Sequence, residues 1–142
     1  MQNIPRVLSL LATGGTIAGT STDRSDPLSY RAAQLGVAEL IAAVPALAEV
    51  RIDPEQVAQL YSKDMDHSMW RRLAERVALQ LDRDDVCGIV ITHGTDTLEE
   101  TAYFLQRVLA PRKPVVLTGA MRPATALQAD GPQNLLDAVS VA

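Results

Sequence analysis

The sequence predicts an α/β chain built on an open, mostly parallel sheet flanked by helices. Three observations lead there. Apolar runs at Val7–Ala12, Gly88–Thr92 and Pro114–Thr118 each stop at glycine-containing loops, as buried strands do. The stretches between them carry apolar residues at helical spacing. Strands alternating with helices then imply parallel pairing, because each crossover must bring the chain back to the same end of the sheet.

The first strand, Val7-Leu8-Ser9-Leu10-Leu11-Ala12, closes at Thr13 before paired glycines. From Gly19 to Ser29 the residues are almost all small, polar or charged, so this stretch is expected to be a mobile surface loop of the kind that serves as a lid. Val37 to Ala43 reads as a helix stopped before Pro45, and Val50 to Leu60 as one or two short strands broken at Pro54. Asp66 can cap a helix running to about Leu81, with Trp70, Leu73, Val77 and Leu81 on one face and Arg71, Arg72, Glu75 and Arg76 towards water. Gly88 to Thr92 is a β-branched strand, followed by a helix from Thr97 to Leu109 that opens with capping-box spacing at Thr97-Leu98-Glu99-Glu100. Pro114 to Thr118 is a further strand, ending at Gly119-Ala120-Met121-Arg122-Pro123, and Asp130-Gly131-Pro132 announces another helix. That helix carries Leu135, Leu136 and Val139 and reaches Ala142 without a glycine cap or a basic last turn, which predicts that these residues belong to a longer chain.

A length of 142 residues with 47% hydrophobic content supports one buried core and one domain. The formal charge of −4 is made of scattered acids and bases with no basic stripe, so no nucleic-acid partner is expected. No run reaches the roughly 18 to 20 apolar residues of a membrane helix, and Met1-Gln2-Asn3-Ile4-Pro5 lacks a leader pattern. The expectation is a soluble, cytoplasmic chain with no membrane contact, or a periplasmic one had a signal been removed before Met1. Cys87 is the one cysteine, so no internal disulfide can form, and its apolar setting reads as a small buried thiol. Two histidines and one cysteine without ligand spacing point to no metal.

Two motifs carry chemistry. In Thr13-Gly14-Gly15-Thr16-Ile17-Ala18-Gly19 the glycines allow close backbone approach and leave N–H groups to face a developing negative charge. Thr16 is the candidate nucleophile, and it needs a proton acceptor nearby. A glycine turn with a threonine capping the backbone is the alternative; a phosphate cradle lacks its Walker lysine and third Rossmann glycine. In His93-Gly94-Thr95-Asp96-Thr97-Leu98-Glu99-Glu100, Thr95 and Asp96 precede a helix whose N-terminal N–H groups favour an anion. A substrate carboxylate could sit there while Asp96 accepts hydrogen bonds from an ammonium, and an α-amino acid carries both groups. Asp96 acting merely as a cap is the alternative, and His93 is read as filling a tight turn.

Together these motifs resemble the bacterial-type L-asparaginase/glutaminase family, whose T-G-G-T-I-A-G and H-G-T-D-T-x-E-E signatures they match. Asp64-Met65, Thr118 to Pro123 and Ala129-Asp130-Gly131-Pro132 add further matches, so the likeness runs through nearly the whole chain. The resemblance implies flavodoxin- or Rossmann-like layering, with residues 1–142 forming the larger part of an N-terminal α/β domain and the C-terminal domain outside this chain. It implies an amidohydrolase acting on L-asparagine, and on L-glutamine as a further substrate, through an acyl-enzyme without metal or organic cofactor. It makes Thr16 the nucleophile, with Tyr30 assisting its deprotonation from the lid side. Thr95 and Asp96 belong to the second threonine group; Ser62 holds the substrate's carboxylate end, Asp96 its amino group, and the Ala120 carbonyl accepts from the side-chain amide. Backbone N–H groups at Thr16 and Thr95 would stabilise the oxyanion. The resemblance also implies a dimer or tetramer in the full-length form, completed by a glutamate from a neighbouring C-terminal domain.

Two departures stand out. The family's glutamine after the serine is Lys63 here, and the lysine that completes the Thr-Asp-Lys group lies beyond Ala142. Lys63 could supply some of that charge next to Ser62, with a solvated surface lysine as the ordinary reading. A non-catalytic amino-acid-binding module or fragment is the competing functional reading.

Overall fold

The computed structural model describes residues 6–23 and 29–142. Four strands, β1 (Val7–Gly14), β2 (Ile52–Leu60), β3 (Val86–Thr92) and β4 (Val115–Thr118), form an all-parallel sheet in the order β2-β1-β3-β4. Helices α1 (Val37–Ala42), α2 (His67–Leu81), α3 (Leu98–Leu109) and α4 (Gly131–Val141) cover its two faces. Alternation along the strands sorts the core. Leu8, Leu10 and Val90 pack with Leu40, Val44, Leu135 and Ala138 on the α1 and α4 side, whereas Leu11, Ile89 and Ile91 pack with Leu73, Val77 and Leu105 on the α2 and α3 side. Every residue of β1 is buried as a result.

Within the Val50 to Leu60 stretch, Ile52–Leu60 is one continuous strand, not two pieces broken at Pro54. Among the described residues β2 lies at a sheet edge and bonds only to β1. Leu8 N–H donates to the Arg51 carbonyl at 2.9 Å, and the alternation of backbone groups turns residues 51, 53 and 55 towards β1. Pro54 therefore faces the open side, where its missing N–H removes no ladder bond.

Asp66 caps α2 as expected, its carboxylate accepting from Met69 N–H at 2.8 Å, a contact worth about 1 kcal/mol. Arg76 departs from the water-facing row: it is half-buried and pairs with Glu55 of β2 at 2.6 Å. Cys87 is likewise half-buried rather than enclosed, its thiol 3.4 Å from the Val7 carbonyl. Of the expected lid, residues 24–28 lie outside the described residues; its stem is closed by reciprocal hydrogen bonds between Thr20 and Arg31 at 2.8 and 2.9 Å. Among the described residues no helix is long and apolar enough to cross a membrane.

The strand order places the site. The chain leaves β1 towards β2 on one side and runs from β3 to β4 on the other, so the order reverses between β1 and β3. Open α/β sheets bind ligands at such a switch point, outside the carboxyl ends of the strands. The two motifs follow β1 and β3.

Candidate active site

The first motif leaves β1 through Gly14 and Gly15, both at positive φ (107° and 79°), and then makes one tight turn over Thr16–Ala18. Ile17 and Ala18 are buried, while Thr16 stays half-buried beside them. Its hydroxyl oxygen lies 2.7 Å from the phenolic oxygen of Tyr30. Gly19 makes room for that ring: a Cβ there would lie 2.9 Å from Tyr30 Cδ2. Thr13 plays a different part, its buried hydroxyl donating to the Thr92 carbonyl at 2.9 Å and tying the end of β1 to the end of β3.

The second motif packs backbone to backbone against the first. A Cβ on Gly15 would sit 2.5 Å from Gly94 Cα and N, so two side chains are excluded where the motifs cross. The end of β2 joins them through Ser62, which is 3% exposed. Its hydroxyl donates to Asp96 Oδ2 at 3.2 Å and accepts from Asp96 N–H at 3.1 Å. The Thr97 hydroxyl donates to the Ser62 carbonyl at 3.0 Å. That last bond accounts for a departure from expectation: the capping box at Thr97 does not form, because the side chain that would cap α3 is turned to the β2 end instead. Thr95 to Thr97 make a short turn of their own, and α3 begins at Leu98. Thr95 and Asp96 are exposed at the mouth of this cluster, near the positive end of α3.

His93 is fully buried, and its protonation follows from its partners. Its Nδ1 lies 2.7 Å from the Gly94 carbonyl, which can only accept, so Nδ1 carries the proton. Nε2 lies 3.1 Å from the Thr101 hydroxyl, which itself accepts from Trp70 Nε1 at 2.8 Å. The histidine is thus a neutral, satisfied core group holding the Gly94 turn, in line with the tight-turn reading. Burial pushes its pKa below the ordinary 6.5, against a smaller upward pull from the Gly94 carbonyl. Because the folded state resists the proton, this group's contribution is intact above pH 6.5 and is lost as pH falls below it. Thermal melts should therefore show a stability loss as pH falls from about 6.5 into the acid range that a His93→Gln variant lacks. A wild-type melting temperature flat across that window would contradict the assignment.

The fourth strand end brings the Gly119–Pro123 turn. A Cβ on Gly119 would lie 2.7 Å from the His93 carbonyl and 3.4 Å from Thr95 Cγ2, so this turn rests on the second motif. Ala120 is buried, and the turn is held from α4 by Asp130 and Asn134. Asp130, a helix signal and part of a matching motif in the sequence, caps nothing with its side chain, which accepts instead from Met121 and Arg122 N–H. Lys63 follows Ser62, but its exposed ammonium pairs with Asp64 at 2.7 Å and lies 5.6 Å from the Tyr61 ring. Lys113, the other lysine, donates to the Arg83 carbonyl. Thr16, Tyr30, Ser62, Thr95, Asp96 and Ala120 thus come from four strand ends to one rim of the sheet.

Known proteins resemble this chain along nearly its whole length. Residues 7–142 match the family model described as Asparaginase, N-terminal. The chain is 47% identical over 142 residues to L-asparaginase 2 of Bacillus subtilis (strain 168), covering 99% of this chain and 38% of that protein. It is 50% identical over 134 residues to a glutaminase-asparaginase of Pseudomonas fluorescens biotype A, covering 94% of this chain and 37% of the relative. A crystal structure of a probable cytoplasmic L-asparaginase from Campylobacter jejuni superposes with a TM-score of 0.91 at 46% identity, covering 96% of this chain and 42% of that one. The chain therefore spans well under half the length of the relatives it matches.

Proposed function

The chain belongs to the asparaginase family, matching its N-terminal domain, and from that premise we propose that it forms the nucleophile-bearing part of an amidohydrolase that converts L-asparagine to L-aspartate and ammonia, with L-glutamine as the further candidate substrate. On this reading residues 1–142 are the larger part of the N-terminal domain, and a C-terminal domain and a neighbouring subunit complete the site in a homo-oligomer. The observation that carries it is the 2.7 Å contact between Thr16 Oγ1 and the Tyr30 hydroxyl at the switch point of the sheet. An alcohol attacks an amide carbon only as its proton leaves, and an oxygen at this distance is within transfer reach.

Thr16 Oγ1 bonds to the amide carbon, its proton passes by way of Tyr30 to the departing nitrogen, and ammonia leaves an acyl-enzyme that water then hydrolyses. Backbone N–H groups at Thr16 and Thr95 stabilise the oxyanion, each such donor being worth about 3 kcal/mol in the transition state. Asp96 takes the substrate ammonium. The Ser62 hydroxyl, which donates to Asp96 at 3.2 Å, turns its proton to the substrate carboxylate. Ala120 accepts from the amide nitrogen. Lys63 adds positive charge at the carboxylate end by leaving Asp64, with which its ammonium pairs at 2.7 Å. A Lys63→Met variant is expected to raise the KM for asparagine by about two- to fivefold at low salt and less at high salt; identical KM and turnover would remove Lys63 from the site.

A second reading, an amino-acid pocket without turnover, rests on one observation: both lysine ammonium groups are engaged elsewhere, with Asp64 and with the Arg83 carbonyl. Assay of ammonia release from L-asparagine by the full-length protein separates the two. Thr16-dependent release supports the enzyme; saturable aspartate binding without release supports the pocket alone.

A further inference from the structure

The Gly119–Arg122 turn belongs to no helix or strand, yet it is anchored through both peptides that flank Ala120. Asp130 Oδ2 accepts from Met121 N–H at 2.8 Å and Oδ1 from Arg122 N–H at 2.9 Å. Asn134 Nδ2 donates to the Gly119 carbonyl at 2.9 Å and to Asp130 Oδ2 at 3.3 Å, so the amide also steadies the carboxylate. Both of its partners accept only, which sets the orientation of the Asn134 amide. Gly131, between the two, packs on the first motif: a Cβ there would lie 2.9 Å from Ile17 Cγ1 and 3.6 Å from Ala120 Cβ.

We infer that Asp130 and Asn134 are positioning residues that aim the Ala120 carbonyl at the substrate's amide nitrogen, and so make the site prefer an amide over the corresponding acid. The inference rests on the amidohydrolase reading above. Its physical basis is the planarity of the peptide unit. Met121 N–H and the Ala120 carbonyl are opposite edges of one trans peptide, so binding the N–H at Asp130 turns the carbonyl away from Asp130. The Gly119 carbonyl and Ala120 N–H are opposite edges of the preceding peptide, and Asn134 holds that one in the same sense. With both planes held, the carbonyl cannot swing to suit a ligand. A carbonyl oxygen welcomes an amide N–H and repels a carboxylate, whereas a turn free to flip could offer an N–H to the acid instead. Burial raises the Asp130 pKa, but the N–H groups of Met121 and Arg122 outweigh it and hold the group below the usual carboxylate range, consistent with an anion at neutral pH.

The test is calorimetric binding of L-asparagine and L-aspartate to the full-length protein that carries these residues, in a Thr16→Ala background, with and without Asp130→Asn. A neutral amide offers one acceptor oxygen where the carboxylate offers two, so one anchor of the turn is lost. Asparagine affinity should then fall about tenfold, the size of one hydrogen bond, while aspartate affinity holds within about twofold. Asn134→Ala should produce the same split and serves if Asp130→Asn fails to fold. Equal weakening of both ligands, or unchanged asparagine affinity, overturns the positioning role while leaving the amidohydrolase reading intact. A background protein that binds neither ligand overturns that reading and this inference with it.

Discussion

Thr16→Ala is expected to lower ammonia release from L-asparagine by at least about 10³-fold, because removal of an attacking hydroxyl leaves only the binding and electrostatic parts of catalysis. The fold should persist. Thr16 is half-buried, its hydroxyl faces Tyr30, and the core around it is made by Ile17 and Ala18. Losing one partly exposed hydrogen bond costs about 0.5 to 1.5 kcal/mol, too little to unfold a domain. Thr16→Ser separates chemistry from packing, since it restores an oxygen at the same carbon and should recover part of the rate. Turnover of Thr16→Ala within about tenfold of wild type, in protein freed of host enzyme, would assign the nucleophile elsewhere.

The second large effect is structural. Gly15→Ala is expected to destabilise the protein by about 3 kcal/mol or more, lowering the melting temperature by roughly 10 °C, for two independent reasons. Gly15 sits at φ 79° and ψ −173°, a region open to little but glycine. Its new Cβ would also meet Gly94 Cα and N at 2.5 Å and the His93 carbonyl carbon at 2.9 Å. These are backbone atoms that cannot rotate aside, and they are tied down by His93, Thr101 and Trp70. Relief by moving Gly94 would carry Asp96 away from Ser62, so activity should fall further than stability alone explains. Gly36→Ala is the control: a Cβ there would find its nearest neighbour, Glu39 Oε2, at 3.6 Å, and the cost should stay within about 1 kcal/mol. Melting temperatures of the two variants, measured side by side, decide it; equal small shifts would mean that the crossing of the two motifs is looser than the distances imply.

Much of the fold was legible because it is written in local patterns. Asp66 capping a helix with Leu73 and Val77 inward, and β-branched residues ending at His93-Gly94, need only neighbouring residues to be read. The motifs were legible for the same reason, each being a few contiguous residues around a strand end. What misled was also local. Pro54 looked like a break, yet an edge position lets its missing N–H face away from β1. Thr97 looked like half of a capping box, yet the Ser62 carbonyl claims its hydroxyl.

By itself, then, the sequence determined the class of fold, the positions of its helices and principal strands, and the residue types at the strand ends. Tertiary structure alone decided the order β2-β1-β3-β4, which sets the Thr16 and Thr95 loops side by side. It also decided the Ser62–Asp96 pairing across 34 positions and the use of Asp130 to hold the Met121–Arg122 turn. The reason is physical. Periodicity and capping reflect interactions a few residues apart, whereas strand order and cross-chain hydrogen bonds reflect which distant groups can be buried and satisfied together.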